Sequence, residues 1–199
     1  MSKPELIKRS GWLFVAGAFA FLTILSNSDA IQIPGSWISA LLLAVGLLSL
    51  RGSYGESISR FSRNILLIGA VGAILYDVVI LTLIVMANSG ILRATQIDGQ
   101  RFWIVAFGGP AVALLALTLF GLTNLLSKPI SRLNWLSIFA GIWYSAVYSL
   151  LFVYLVSHNG KLPDQYWPLV KSTFTIQFFA LFVFGVVLVT DAPQELATA

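Results

Sequence analysis

A single carboxylate, Asp77, stands in the middle of a long apolar segment of this chain. An ionised side chain at the centre of a membrane helix costs roughly 2.5–3.5 kcal/mol on the insertion scale, so such a residue marks a candidate functional site. Small residues precede it at the helical spacings i−8, i−7 and i−4, namely Gly69, Ala70 and Ala73. Because small residues let helices approach one another, this pattern predicts that Asp77 faces a neighbouring helix rather than lipid.

Two interpretations of Asp77 follow from its chemistry. In the functional one, the carboxylate holds a proton or a cation, or anchors a ligand through a polar contact. In the structural one, a protonated Asp77 hydrogen-bonds a neighbouring helix and stabilises the packing. Residues at a similar depth in two later segments are candidate members of one buried polar group with it: Tyr144, Ser145, Tyr148 and Gln177. Helix packing alone also explains small and hydroxylated residues at this spacing.

A second candidate feature is the sequence Gly108-Gly109-Pro110, which interrupts an apolar segment. Proline removes the backbone hydrogen bond to residue i−4, and the glycines permit a bend. The carbonyl groups freed by such a helix break can bind a ligand, as in transporters with discontinuous helices. The alternative interpretation is a structural kink.

Composition excludes several kinds of chemistry. The chain has no cysteine, which excludes disulfides, thiolate nucleophiles and iron–sulfur ligands. Its one histidine, His158, falls in a predicted loop, so no haem or chlorophyll is expected on a histidine within the membrane. No cluster has the spacing of metal ligands, and no nucleotide-binding or hydrolase motif occurs. The sequence therefore predicts neither catalytic residues nor a metal site, and it leaves the cofactor unknown.

The elements that must position Asp77 are membrane helices. Of the 199 residues, 58% are hydrophobic and 10% are charged, whereas a soluble domain carries about 25% charged residues. The apolar residues form six segments, at approximately 11–26, 33–50, 65–87, 102–126, 135–156 and 167–190. The last four are long enough to cross about 30 Å of hydrocarbon, and the first two are short. The prediction is an all-α, polytopic membrane protein, with six transmembrane helices in one domain of residues 1–199.

The basic residues predict the orientation of these helices. They stand singly or in pairs between apolar segments, which indicates membrane topology rather than nucleic-acid binding. One set of connections carries Lys3, Lys8, Arg9, Arg51, Arg60, Arg63, Lys128 and Arg132, and the other carries Arg93, Arg101, Lys161 and Lys171. The positive-inside rule then places both termini in the cytoplasm, with the bacterial inner (plasma) membrane as the predicted location. Tryptophans near the segment ends are expected to anchor in the headgroups: Trp12, Trp37, Trp103, Trp135 and Trp167.

Three hairpins of two segments each share landmarks, which predicts an internal repeat. Their first segments begin Trp12-Leu13-Phe14-Val15-Ala16-Gly17, Leu66-Leu67-Ile68-Gly69-Ala70 and Leu136-Ser137-Ile138-Phe139-Ala140-Gly141, and their second segments close on Gly46, Gly121 and Gly185. With Leu41-Leu42-Leu43-Ala44-Val45-Gly46, this layout resembles the small six-helix bacterial membrane proteins of the HdeD type. The resemblance implies an association with acid resistance, no established reaction and no catalytic residues.

The last two segments are rich in Tyr and Phe, and such rings can line a groove for a carotenoid, a quinone or a sterol-like lipid. They also suit acyl chains or another subunit. The leading hypothesis is a non-catalytic accessory subunit, or a component that binds an apolar ligand or pigment, in contact with the bilayer and with other membrane subunits. The first alternative is a small-solute transporter or substrate-capture component that uses Asp77 and the helix break. The second is an intramembrane lipid-modifying enzyme, in which Asp77 cooperates with a tyrosine or Gln177.

Overall fold

The computed structural model of the chain describes residues 3–25, 29–54, 58–89, 108–125, 131–158 and 164–191. In these ranges the chain forms six α-helices: α1 (Lys3–Leu22), α2 (Asp29–Tyr54), α3 (Arg60–Asn88), α4 (Gly108–Leu125), α5 (Ser131–Ser157) and α6 (Trp167–Asp191). Short 3₁₀ turns, Thr23–Leu25 and Asp164–Tyr166, follow α1 and precede α6. No β-strand occurs in the six described ranges, so the predicted all-α class is confirmed for them.

Five of the six described helices are long and apolar enough to cross a membrane. The spans are Ile31–Tyr54, Arg60–Leu83, Gly108–Leu125, Asn134–Tyr154 and Pro168–Thr190. Helix α1 differs from them because its first two turns carry several charged residues, Lys3, Glu5, Lys8 and Arg9. Five such helices support the membrane-protein class predicted from composition, and the predicted number of six spans stays a prediction. A helix suits a bilayer because it satisfies its backbone hydrogen bonds internally.

The described helices extend beyond the predicted apolar segments. Helix α1 begins at Lys3 rather than at residue 11, α2 covers Asp29–Tyr54 rather than 33–50, and α3 begins at Arg60 rather than at residue 65. Backbone hydrogen bonding continues through polar residues at the membrane surface, whereas an apolar run detects only the part that matches hydrocarbon. Pro34 lies inside α2, whereas proline is most typical of the first position of a helix. Residues 26, 102–107 and 126 of the predicted segments lie outside the described ranges.

Each helix packs against its neighbours in chain order, and α6 also packs against α1, so the six form a closed ring. Helix α2 makes a further contact with α4. Two glycines bring the first and last helices together. A Cβ added at Gly11 would lie 2.6 Å from the carbonyl oxygen of Gly185, and one added at Gly185 would lie 2.7 Å from that of Gly11. Because a real Cβ does not come this close to another atom, only glycine permits such an approach of two helix backbones.

Aromatic and branched side chains fill the space between the helices. The largest fully buried ones come from all six: Phe14, Phe21, Leu43, Leu47, Leu50, Leu66, Leu114, Leu117, Tyr144, Leu181, Phe184 and Leu188. The rings of Phe14 and Phe184 meet edge to face, with centroids 4.9 Å apart and planes at 78°. This is a preferred aromatic geometry, and it reinforces the contact between α1 and α6.

The glycines that mark the three predicted hairpins do not occupy equivalent positions. Gly17 faces Leu43 and Gly69 faces Ala116, each within its own hairpin. Gly141 instead faces the main chain of Leu114 and the side chain of Thr118, which belong to the preceding hairpin. The threefold repeat therefore stays a prediction, without support from these contacts.

Only some of the tryptophans and basic residues that predict the orientation of the helices in the membrane lie in the described ranges. Trp12 and Trp135 are 61% and 65% exposed, as headgroup anchoring requires. Trp103 and the basic residues Arg93, Arg101, Lys128 and Lys161 lie outside the described residues. The sidedness of the chain stays a prediction.

Candidate functional site

Asp77 lies where α2, α3 and α4 meet. It is about 16 Å from the last residue of α3, at 1.5 Å per residue. Ala70 and Ala73, on the same face of α3, have no exposed surface. A Cβ added at Gly109 of α4 would lie against Oδ1 of Asp77, and 3.1 Å from the Cβ of Ala40 on α2. The carboxylate therefore faces neighbouring helices, as the pattern of small residues predicts.

The Gly-Gly-Pro sequence forms the first described turn of α4, and all three residues are buried. A Cβ at Gly108 would overlap the ring of Tyr76, just as one at Gly109 would overlap the carboxylate of Asp77. Two consecutive side chains of α3 thus lie directly on the α4 backbone, and only glycine leaves room for them. Residues 102–107 lie outside the described chain, so the predicted break stays a prediction.

The Asp77 carboxylate has no hydrogen-bond or ion-pair partner among the described residues, and its Oδ1 atom is buried. Buried polar groups are almost always paired, so an unpaired carboxylate requires an explanation. Within the described ranges, nothing supports the interpretation in which Asp77 hydrogen-bonds a neighbouring helix. The atoms Gln32 Oε1, Trp37 Nε1, Arg51 Nε and Asn134 Oδ1 are also buried without a hydrogen bond, but Asp77 is the only carboxylate in this group.

Tyr76, which sequence reasoning missed, connects α3 to α5. Its hydroxyl oxygen lies 3.4 Å from that of Tyr148, and either hydroxyl can donate. The ring of Tyr148 stacks between those of Tyr144 and Phe152, with centroid distances of 6.0 and 6.5 Å, so three rings form a row along α5. The available signal for Tyr76 was its position beside Asp77 in the apolar segment.

Gln177 is fully buried on α6, and it bonds the main chain of α5 rather than Asp77. Its Nε2 donates to the carbonyl oxygen of Ala140, and its Oε1 accepts from the backbone N–H of Tyr144 at 3.2 Å. Those two main-chain groups are an i, i+4 pair, so one side chain ties α6 to a single turn of α5. Ser145 donates within α5, to the carbonyl oxygen of Gly141 at 2.9 Å.

The five residues predicted to form one polar group therefore divide into two parts. Tyr148 reaches the α3 residue next to Asp77 through the hydroxyl of Tyr76. Gln177 and Ser145 bond the main chain of α5, at the turn that carries Tyr144. The carboxylate of Asp77, the fifth residue of the predicted group, lies against Gly109 of the predicted helix break.

The aromatic side chains also form two groups. Phe21, Tyr144 and Phe174 are buried together, with ring centroids 5.0–5.8 Å apart. On the outer surface of α1 and α6, the ring of Phe19 lies 5.6 Å from Phe178 and 5.9 Å from Phe182. Phe19 and Phe179 are more than half exposed there. The buried group therefore shares Tyr144 with the row of Tyr144, Tyr148 and Phe152, which we call the tyrosine row. The outer group faces the surroundings of the bundle.

The remaining titratable candidates lie away from Asp77. Lys171 and His158 are exposed near the adjoining ends of α6 and α5. His158 stacks on Tyr154 with centroids 4.1 Å apart. Within the described part of the chain, no group of three or more His, Cys, Asp and Glu residues could hold a metal ion.

The arrangement at Asp77 provides one acceptor in apolar surroundings. Such a carboxylate can bind a cation, accept a hydrogen bond from a ligand or exchange a proton. The hydroxyls of Tyr76 and Tyr148 add a second polar point on the adjacent face of α3. No protein-family model, curated protein or solved structure matches this chain.

Proposed function

We propose that this chain is a non-catalytic integral membrane protein that binds an apolar ligand through one polar anchor, Asp77. The observation that carries this proposal is the buried Oδ1 atom of Asp77, which has no partner among the described residues. A ligand that donates a hydrogen bond or carries a positive charge would pair this atom. Pairing would offset the cost of a carboxylate within the membrane.

The surroundings of Asp77 support an apolar ligand. The tyrosine row runs from Tyr144, which is 1% exposed, to Phe152, which is 46% exposed. One end of the row is thus buried, its middle ring meets the Tyr76 hydroxyl, and its other end is open to the surface of the bundle. Flat rings in this order suit the body of an apolar molecule that enters from the bilayer.

The test is native mass spectrometry, with an absorption spectrum, of protein gently extracted from its own membranes. The wild type is compared with Asp77→Asn and with the control Thr82→Val, which removes an exposed hydroxyl of α3 that bonds only its own helix. We expect a small-molecule adduct or visible absorbance in the wild type and the control, and its loss in Asp77→Asn. A wild type without any adduct contradicts the proposal, as does an adduct that survives in Asp77→Asn.

Association with other membrane subunits is part of this proposal. Helix α3 exposes apolar side chains over most of its length, including Ile68, Leu75, Val79 and Val85. Such a face suits either acyl chains or another subunit. Additional protein mass in the same native spectrum identifies a subunit of an assembly, whereas its absence restricts the proposal to ligand binding by the single chain.

A second candidate function is small-solute transport or substrate capture. The observation that favours it is the contact of Asp77 with the first described turn of α4, since discontinuous helices in transporters place such turns at the substrate site. If the chain transports a solute, uptake into proteoliposomes is abolished by Asp77→Asn and retained by Thr82→Val. Equal uptake by the wild type and Asp77→Asn ends this alternative.

The topology proposed for this function has six spans in three hairpins, with both termini in the cytoplasm of a bacterium. The resemblance to proteins of the HdeD type supports the hairpin layout and contributes no reaction. Because the chain has no cysteine, single introduced cysteines report sidedness cleanly. Six spans predict that a membrane-impermeant maleimide labels His158→Cys on intact spheroplasts but neither Ser2→Cys nor Ala199→Cys. Labelling of only one terminus indicates an odd number of crossings and contradicts this topology.

A further inference from the structure

We infer that the ligand held at Asp77 is an apolar molecule that carries a protonated amine, an inference that rests on the proposed binding role of Asp77. The first reason is charge. Described residues supply neither a hydrogen bond nor an ion pair to the carboxylate. A protonated amine supplies both a positive charge and N–H donors to the same oxygen atoms, and such charge-assisted hydrogen bonds are stronger than neutral ones.

The second reason is the aromatic surface beside the carboxylate. The electron-rich face of an aromatic ring attracts a cation within about 6 Å of its centroid. Tyr76 directly precedes Asp77 in the chain, and the two side chains lie against the adjacent glycines Gly108 and Gly109 of α4. The hydroxyl of Tyr76 reaches Tyr148, the middle ring of the row. A carboxylate with a tyrosine ring beside it can recognise an ammonium ion through both charge and the ring face, whereas a neutral alcohol gains only a hydrogen bond and an anion is repelled.

The third reason is the shape of the row. Three stacked rings, Tyr144, Tyr148 and Phe152, extend along α5 with 6.0 and 6.5 Å between successive centroids. The exposed end, at Phe152, offers access from the bilayer. An apolar body can lie against Phe152 and the half-buried Tyr148 while its amine reaches towards Asp77. An aminophospholipid also carries an amine, but its adjacent phosphate would be repelled by a carboxylate that has no described cationic partner. The inferred ligand is therefore an amine without an anionic group.

Binding of 1-naphthylmethylamine and of its neutral analogue 1-naphthalenemethanol to the full chain in lipid nanodiscs tests this inference. The two probes share an aromatic body and differ in charge. Saturable binding of the amine should be about 10- to 100-fold tighter than that of the alcohol, because both probes can donate a hydrogen bond to the carboxylate but only the amine adds the attraction between opposite charges. Asp77→Asn should remove that preference, whereas Thr82→Val should keep it. In a competition arm, phosphatidylethanolamine in the nanodisc should not displace the amine.

A matched variant separates loss of binding from loss of folding. Asp77→Glu retains the charge, so it should keep a preference for the amine, and size-exclusion profiles verify that each variant remains folded. Equal affinity for amine and alcohol overturns the inference, as does an amine preference that persists in Asp77→Asn or displacement by phosphatidylethanolamine. If neither probe binds while the native adduct still depends on Asp77, the amine class is wrong and the proposed function stands. If the native adduct itself does not depend on Asp77, the proposed function fails.

Discussion

Among the described residues, polar groups at the start of α3 are paired with neighbouring side chains, whereas the carboxylate in the middle of the helix is not. Near its N-terminus, Ser62 is fully buried and its hydroxyl lies 3.0 Å from that of Ser59 and 2.9 Å from that of Thr123. It also donates to Asn124 Oδ1 at 3.3 Å, and Asn124 donates in turn to the carbonyl oxygen of Phe120. We call these four residues (Ser59, Ser62, Thr123 and Asn124) the hydroxyl–amide cluster. Fifteen residues later on the same helix, Asp77 is left without such partners in the described chain.

The contrast shows what polar helix packing looks like when its role is structural. In the hydroxyl–amide cluster, side chains of α3 and α4 satisfy one another at ordinary distances, as polar contacts between membrane helices do. At Asp77, glycines of α4 leave room for the carboxylate but offer no donor from a side chain. Both sites join α3 to α4, so the difference lies in pairing and not in the helices involved. This is why we assign Asp77 to binding and the cluster to stability.

The largest effect on stability is expected at Asp77 itself, and it is a gain. Replacing Asp77 with Leu removes a carboxylate that the fold does not pair, so the free energy of unfolding should rise by about 3 kcal/mol, the insertion cost of an acidic residue. Reversible unfolding of the purified protein in mixed micelles measures it. A loss of stability would mean that Asp77 is paired in the folded protein, and the contrast with the hydroxyl–amide cluster would collapse.

The next largest effect is expected at the glycine that accommodates the carboxylate. A Cβ at Gly109 overlaps Asp77 Oδ1, so Gly109→Ala should lower the unfolding free energy by about 1–3 kcal/mol and weaken ligand binding. Gly52→Ala is the control, since no atom lies within 4 Å of the added methyl group. That control should gain stability from the higher helix propensity of alanine. Equal behaviour of the two variants would show that the close approach of α4 to Asp77 is not required.

A smaller loss is expected from the hydroxyl–amide cluster. Asn124→Ala removes the acceptor of Ser62 and the donor to Phe120, so the unfolding free energy should fall by about 1 kcal/mol. Ligand binding should be unchanged, because this cluster lies far along α3 from Asp77. Asn64→Ala, at an exposed position of the same helix, serves as the control and should have little effect. Loss of binding in Asn124→Ala would refute the separation of the two regions.

The smallest effect is expected at the hydroxyl pair. Tyr148→Phe keeps the ring and removes one hydroxyl, whose oxygen lies at 3.4 Å from that of Tyr76. Hydrogen bonds between membrane helices average about 0.6 kcal/mol, so the loss of stability should be of that size. Tyr166→Phe, an exposed tyrosine before α6, is the control. A loss several times larger than this average would place Tyr148 among the structural groups rather than beside the ligand.

The sequence predicts the membrane helices, and it predicts that Asp77 faces a neighbouring helix rather than lipid, because both depend on local signals. Apolar length marks the helices, and small residues at helical spacing mark the face that approaches a neighbour. It does not predict that Gly109 lies against Asp77, nor that Gln177 bonds the main chain of α5. Such contacts depend on the rotation and register of two helices. In a bilayer both the lipid-facing and the packed sides of a helix are apolar, so the periodicity that reveals a buried face in soluble proteins is weak.

Tyr76 illustrates the same limit at a single residue. The predicted groove for an apolar ligand rests on the last two segments because they contain many aromatic residues, whereas Tyr76 is the single aromatic residue of its segment. Its importance comes from the partner that the fold provides, the hydroxyl of Tyr148 on a helix 72 residues away in the chain. Pairings of this kind become visible only when the ring of helices is known.

The central claim is that Asp77 lacks a partner in the fold because a ligand provides one. The most direct test adds a lipid extract of the protein's own membranes to the purified protein and measures thermal unfolding. A ligand that binds only the folded state at 100 times its Kd stabilises it by about 2.7 kcal/mol. We predict that the extract raises the unfolding midpoint of the wild type and of Thr82→Val, and leaves that of Asp77→Asn unchanged. An equal rise in all three proteins, or no rise in the wild type, would contradict the account.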